Sequence, residues 1–432
     1  MTNTADVAIV GAGAAGVATA IFARRASPAL RVRLIDGAAK PGAKILISGG
    51  GRCNVTNTVV TEADFSGGKS TIVRRVLRAF PASAAAGFFR DLGVPLHEEA
   101  GGKLFPDSHR ARDVLDALLR GALTAGVELS TSARVHAVAR TQTGFALDTS
   151  AGQHLAHAVV LATGGQSLPK SGSDGRGYAI AQALGHSIVP PTPALAPLLL
   201  DPVAPSAIHP GLSGVSLDAG LTVWVDERAA VHLTGALLWT HFGASGPVVL
   251  NASRYWARAR LEGRAVRLTL SFFPGQSFSD LDARWIRAAA ARPRATVRST
   301  LAAELPDALA QAILRVANID ADRVLADFTR DDRRRLVHAL VEWPLPVVDT
   351  RGYNFAEVTA GGVALDEIDS STMESRICPG LFLVGEILDV DGRIGGFNFQ
   401  WSWSSAFVAA RALAAVPDLS GSGTSAPGDE RD

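Results

Sequence analysis

A chain of 432 residues exceeds one ordinary domain, so two or three are expected. Apolar residues make up 47% and charged residues 19%, the balance of a soluble globular protein, and no apolar run reaches the roughly 18 residues of a membrane span. The formal net charge of +1 sets up no field for nucleic acid or an anionic membrane, so neither is expected as a partner.

In chain order, Val7–Val10 reads as a buried strand, Ala14–Arg25 as a helix closed by Ser27-Pro28, and Arg31–Ile35 as a second strand. Ala84–Leu92 and Ala111–Ala125 read as helices. Leu129–Val138, Gly144–Thr149 and Ala158–Leu161 read as strands. The proline cluster Val189-Pro190-Pro191-Thr192-Pro193 can continue neither a helix nor a central strand, so it marks a crossing between domains. The stretch that follows, to about Thr269, is strand-like, and Phe278–Val341 is helical and rich in Ala and Arg. Pro344 and Pro346 close that segment. Leu381–Val384 is again a strand and Trp403–Ala414 a helix. The expected organisation is therefore an α/β domain built from residues 1–190 and 347–417, interrupted by an inserted domain at 191–346. The insertion is β-rich over 191–270 and helical over 271–346, and a disordered tail over 418–432 is rich in Gly, Ser and Pro. Met1–Asp6 has no basic n-region, so no signal peptide is expected. Cys53 and Cys378 are too far apart for a disulfide framework and lack metal-ligand spacing. No metal is expected, and a cytoplasmic, reducing location fits.

Gly11-Ala12-Gly13-Ala14-Ala15-Gly16 falls between the first strand and the first helix. Gly11 permits the tight turn, Gly13 lets backbone approach a pyrophosphate, and Gly16 lets helix and strand pack closely. The helix N-terminus adds unpaired amides and a positive dipole end. Asp36 ends the second strand about 20 residues beyond Gly16, where a carboxylate can accept from a ribose diol and would repel a 2′-phosphate. The stretch from Lys40 to Asn57 has no regular period. Its three glycines at 49–51 can press backbone against a flat ligand while Lys44, Arg52 and Asn54 donate hydrogen bonds. Cys53 is either a redox thiol beside that ligand or a buried inert one. Two further strands end at Ala162-Thr163-Gly164 and at Gly385-Glu386. Gly395-Gly396-Phe397-Asn398 then opens the last helix, whose amides suit a ring on which reduction builds negative charge. In this order the motifs are diagnostic of FAD. His241 either meets substrate or is structural, and Trp401 and Trp403 either wall a flavin pocket or fill the core.

The stretches GAGAAG, LISGGGRCNVTN, KLFPDSHRARDVLDALL, ATGGQSLPKSGSDGRGYAIAQALGH, THFGASGPVVL, EVTAGGV and PGLFLVGEILDVDGRIGGFNFQWSWSSAFVAA resemble the aminoacetone-oxidase-like, or BaiN-like, family of bacterial FAD-binding flavoproteins. That resemblance implies a Rossmann-type FAD domain of the two-dinucleotide flavoprotein type, with an inserted domain that has a β-barrel-like and a helical part. It implies cofactor roles for Gly11, Gly13, Gly16, Asp36, Lys44, Arg52, Asn54, Thr163, Glu386, Gly395 and Gly396. Ala14, Ala15, Ser48, Gly49, Gly51, Cys53, Val135, Ala162, Gly164, Gly385, Asp391 and Asn398 complete the expected contact set. The expected function is hydride transfer between flavin N5 and a small organic substrate, with oxidation of an amine by oxygen as one reading. The alternatives are reduction of an enone-like ketone at the expense of NAD(P)H, or flavin binding without turnover in a regulator. No second G-x-G-x-x-G unit occurs, so any nicotinamide is a transient visitor. No catalytic acid or base stands out.

Overall fold

The computed structural model describes residues 4–416 and divides them into two compact units. One runs to Pro191 and resumes at Val358; the other is Thr192–Glu357. The proposed tail at 418–432 lies outside the described residues.

The first unit is built on a mixed sheet. Strand β1 (Thr4–Val10) runs parallel to β2 (Val32–Ile35), which runs parallel to Glu128–Ser130. On its other side β1 pairs in parallel with Gly152–Leu161. That long strand has two further partners: its first half pairs antiparallel with Gly144–Thr149, and its last three residues pair in parallel with Leu381–Leu383. The two ends of the chain are thus joined in one sheet. Parallel strands covered on both faces need near-continuous apolar sequence, and β1 is buried from Ala5 to Val10. Helix α1 (Ala14–Ala26) is buried from Ala15 to Ala23 and packs along the last helix, Phe397–Ala414. Phe22 meets Phe80, Phe88 and Phe407 in a ring cluster with centroids 4.7–5.5 Å apart. The expected strand Leu129–Val138 is two strands, Glu128–Ser130 and Val135–Thr141. They pair with different neighbours because Ser132, at φ +54°, turns the chain between them.

The second unit has its own seven-stranded antiparallel sheet and its own apolar core. Ser216–Val225 and Arg228–Thr240 form its central hairpin. Two sequence boundaries shift here. Helix Pro247–Leu261 interrupts the stretch expected to be β-rich, with Pro247 at its first turn behind Gly246 at φ +92°. The unit also ends at Glu357 rather than at 346, because Val347–Thr350 pairs with Leu198–Leu200 inside this sheet. No helix among the described residues is long and apolar enough to cross a membrane.

Candidate functional site

Strand β1 ends at the glycine turn, and the three glycines there differ in what they require. Gly11 sits at φ +104°, and a Cβ on it would lie 2.5 Å from the Ala162 carbonyl oxygen. A Cβ on Gly16 would lie 1.9 Å from the Gly11 oxygen. Gly13, the residue that caps α1, has no atom within 4 Å of such a Cβ. Two glycines are therefore demanded by the protein's own packing, and the third faces open space. No side chain caps α1, which leaves its first-turn amides, from Ala14 and Ala15 onward, for an anion. Asp36 is half-buried at the end of β2. Its Oδ2 accepts from Ala12 N–H and its Oδ1 from Ala38 N–H, both at 2.7 Å. Each oxygen keeps a lone pair for a ribose hydroxyl. Ala162 N–H donates to Val10 O at 2.9 Å, which brings Ala162-Thr163-Gly164 beside the glycine turn. Val135 is buried at the start of its strand. An open cradle at Gly13 flanked by a helix N-terminus and an acid fits the pyrophosphate and ribose of a dinucleotide.

A second cluster unites residues from four segments. Lys44 Nζ donates to Glu386 Oε2 at 2.5 Å and to Ser167 Oγ at 2.6 Å. Glu386 Oε1 accepts from Ser167 Oγ and from Thr359 N–H, both at 2.9 Å. Thr359 Oγ1 in turn accepts from Gln166 and Ser167 N–H at 2.8 and 3.0 Å. Lys44 and Glu386 were expected as cofactor contacts; Ser167 and Thr359 were not. Both lie in stretches quoted for the family resemblance, but nothing in their local spacing points to one carboxylate. Gly385 before Glu386 is at φ +74°. Its N–H donates to Ser405 Oγ at 3.0 Å, and its carbonyl accepts from Trp401 Nε1 at 3.1 Å. Trp403 Nε1 donates to Val55 O at 2.9 Å, and both indoles are fully buried, so the pair fills the core and braces two loops.

The glycine-rich loop is fastened to the start of the last helix. Gly49, Gly50 and Gly51 all have positive φ, and Ser48 Oγ donates back to Ile45 O at 2.7 Å. The Asn54 amide, placed by its hydrogen bonds, donates to Thr56 O at 2.8 Å and accepts from Gly396 N–H at 3.1 Å. A Cβ on Gly396 would lie 2.5 Å from Thr56 O. Gly395 O accepts from Asn57 Nδ2 at 3.2 Å. Asn398 spans Gly392, accepting from its N–H and donating to its carbonyl, each at 2.8 Å. Asn54 and Asn398 thus spend their amides on backbone. Cys53 is fully buried at φ +62°, and burial pushes its thiol up to about 12, so it is a neutral thiol. Asp391 is buried on a short strand that pairs with Phe65–Gly67.

Arg52 turns elsewhere. Its Nη1 lies 2.6 Å from Glu99 Oε1, and its guanidinium stacks over Phe105 at 4.1 Å. The same oxygen is 3.4 Å from His97 Nε2 and 3.9 Å from His109 Nδ1. These three side chains have metal-ligating chemistry and converge within 4.8 Å. Arg52 already supplies the cation at the shared oxygen. Burial alone would raise the Glu99 carboxyl, but hydrogen bonds from Arg52 and His97 hold it below its ordinary value. Exposed His241 packs edge-on against Phe242 in the second unit.

A family model described as HI0933-like protein Rossmann domain matches residues 5–412. A protein of Escherichia coli named ribosomal RNA dihydrouridine synthase is 35% identical over 411 residues, covering 95% of this chain and 98% of that one. A protein of Clostridium scindens named 3-dehydro-bile acid delta(4,6)-reductase is 32% identical over 413 residues, covering 95% and 99%. A solved structure of Escherichia coli quinol fumarate reductase FrdA superposes with a TM-score of 0.51 at 17% identity, covering 98% of this chain and 72% of that one, a likeness of fold.

Proposed function

Because the chain belongs to the HI0933-like family of FAD-dependent oxidoreductases, we propose that it reduces a carbon–carbon double bond conjugated to a carbonyl, with uridine in ribosomal RNA as substrate. The observation that carries this reading is similarity over the whole chain to two relatives whose names describe one chemical step on different molecules. Dihydrouridine is uridine with the ring double bond beside a carbonyl saturated. A delta(4,6)-reductase of a 3-dehydro bile acid saturates double bonds conjugated to a ketone. Two of the relatives, from Escherichia coli and Haemophilus influenzae, carry the RNA name.

Gly13 and the α1 N-terminus would hold the pyrophosphate, Asp36 the ribose, and the Lys44–Glu386–Ser167 cluster the remainder of the cofactor. Bound FAD supplies hydride transfer. The net reaction consumes NAD(P)H and one solvent proton, and yields NAD(P)⁺ and dihydrouridine. The near-neutral charge that argues against nucleic acid bears on non-specific attraction to phosphates. Chemistry on one extruded base depends instead on how that base is held. Oxidation of a small amine by oxygen has no counterpart in the names of these relatives, and a regulator without turnover does not suit an oxidoreductase family.

The test is incubation of the purified holoprotein with NADH or NADPH and unmodified ribosomal RNA transcripts, with nucleosides read by mass spectrometry. Dihydrouridine formed in step with nicotinamide oxidation supports the reading. Reduction of a dienone steroid with no dihydrouridine turns it to the small-molecule alternative, and amine-dependent oxygen uptake alone overturns both.

A further inference from the structure

Arg351 lies over two phenylalanine rings of the second unit. Its guanidinium carbon is 3.5 Å from the ring centre of Phe355 and 4.3 Å from that of Phe242. Exposed His241 meets Phe242 edge-on, with ring centres 5.1 Å apart. Phe355 is itself 47% exposed. The loop that carries the stack is fixed at both ends. Arg351 N–H donates to Pro197 O at 2.9 Å, and Glu357 N–H to Leu195 O at 3.2 Å. Between them Phe355 and Ala356 N–H both close on Gly352 O at 3.1 Å, a turn that needs Gly352 at φ +70°.

Arg264, Arg267, Arg284, Arg298, Arg323 and Arg333 of this unit have hydrogen-bond or ion-pair partners, whereas Arg260 and Arg334 lie over Trp256 and Phe278 alone among the described residues. Among the described residues no hydrogen bond or ion pair engages the Arg351 guanidinium. The Tyr353 hydroxyl, two residues on, also has no hydrogen-bond partner among them, and burial pushes it up to about 12, so it remains a donor at neutral pH. A fixed loop thus presents an exposed aromatic ring, a planar cation with free edge donors, and a free phenol. Between Thr192 and Glu357 there is no lysine; every strong base is the planar, stacking kind.

We propose that Arg351, Phe355 and Tyr353 form a nucleobase platform, on which an unpaired pyrimidine of RNA stacks against Phe355 while the Arg351 edge and the Tyr353 hydroxyl donate to its carbonyls or to the adjoining phosphate. The proposal rests on the RNA reading above and names the part of the chain that takes the strand. Stacking on rings and on guanidinium planes, with hydrogen bonds to base edges, is how unpaired RNA is recognised. A steroid offers an aliphatic face and few acceptors, so it would use neither the ring plane nor the several donors.

The test is fluorescence anisotropy of labelled single-stranded oligouridine with the holoprotein and its Arg351→Ala, Arg351→Lys, Phe355→Ala and Phe355→Tyr variants. Flavin content and melting temperature check the fold of each. Arg351→Ala and Phe355→Ala should each raise Kd about tenfold or more. Phe355→Tyr should restore binding, and Arg351→Lys only part of it. Wild-type Kd in all four variants, or no oligouridine binding by the wild type, overturns the platform. So does a rise confined to the KM of a dienone steroid. A protein that makes dihydrouridine while its variants bind RNA unchanged refutes the platform and keeps the reaction. Variant-sensitive oligouridine binding in a protein that makes none refutes the reaction and keeps the platform.

Discussion

Lys44 and Glu386 meet at 2.5 Å although 342 positions separate them in the chain. Their side chains are 27% and 16% exposed, so water screens the pair incompletely. Removing one partner leaves the other partly buried and unmatched. Lys44→Ala or Glu386→Ala should each cost about 1–3 kcal/mol in denaturant unfolding. The double variant should cost less than the sum of the two, because both break the same contact. Each should also release FAD more readily. Additive losses would mean that the pair contributes no coupling.

The glycine turn separates two roles that one motif contains. Gly16→Ala places a methyl 1.9 Å from the Gly11 oxygen, a backbone atom that cannot move without opening the turn. It should give little soluble protein. Gly13→Ala meets nothing within 4 Å, and φ −83° suits alanine, so that variant should fold with an unchanged melting temperature in the apo form. Gly13→Asp should fold too but hold no flavin, because it sets an anion where the pyrophosphate belongs. A flavin-replete Gly13→Asp protein would remove the pyrophosphate from this turn.

What was legible in the sequence was local. The β1–α1–β2 unit, its three glycines and Asp36 follow from periodicity and spacing, because a strand, a turn and a helix in succession leave few arrangements. The cluster around Glu386 was legible only in part. Lys44 and Glu386 stand out by type, while Ser167 and Thr359 join them through the fold, which no spacing encodes. Helix Pro247–Leu261 was missed, although Gly246-Pro247 is a helix-start signal, because Val248-Val249-Leu250 matches a strand run equally well. Arg52 stands out as a cation after three glycines, which suggests a cofactor contact; its partner Glu99 lies 47 residues on, across a small sheet.

That partner changes what Arg52 is expected to do. The Arg52 and Glu99 side chains are 40% and 30% exposed, so solvent screens the ion pair and its contribution to stability is small. If Arg52 chiefly fastens the glycine-rich loop, Arg52→Ala and Glu99→Gln should have the same small effects on stability and on FAD affinity. If Arg52 instead leaves Glu99 to hold FAD, only Arg52→Ala should raise the dissociation constant, by about tenfold or more. Titration of apoprotein with FAD separates the two.

Acid should act on the first unit through Glu367. Its carboxyl accepts from His186 Nδ1 at 2.7 Å and from Ser187 N–H at 3.1 Å, with His186 fully buried. Burial alone would raise that carboxyl, but the hydrogen bonds from Ser187 and His186 hold it below its ordinary 4.5. A carboxylate lowered in the folded state contributes stability above its unfolded pKa and loses it as pH falls through the folded value. Glu367→Gln should therefore melt lower than wild type at pH 7, and the gap should close below pH 4.5. A gap that is constant with pH would assign the loss to packing.

The two units have separate apolar cores, one drawn from residues 7–181 and 363–413 and the other from 198–345. Each core closes around its own sheet, so neither needs the other's side chains to bury its apolar surface. Joining Pro191 to Val358 by a short Gly/Ser linker should leave a soluble protein that still binds FAD, since the glycine turn, Asp36, Lys44, Glu386 and the last helix all remain. Turnover should be lost with the removed unit. The position of the cut matters. A version that rejoins the chain at 347 keeps Val347–Thr350, a strand whose partner Leu198–Leu200 has been deleted. Its exposed backbone edge should make that version aggregate while the version cut at Glu357 stays monodisperse. Size-exclusion chromatography with flavin absorbance distinguishes the two. Equal behaviour would show that Val347–Thr350 does not depend on its sheet, and loss of flavin from both would show that the first unit does not stand alone.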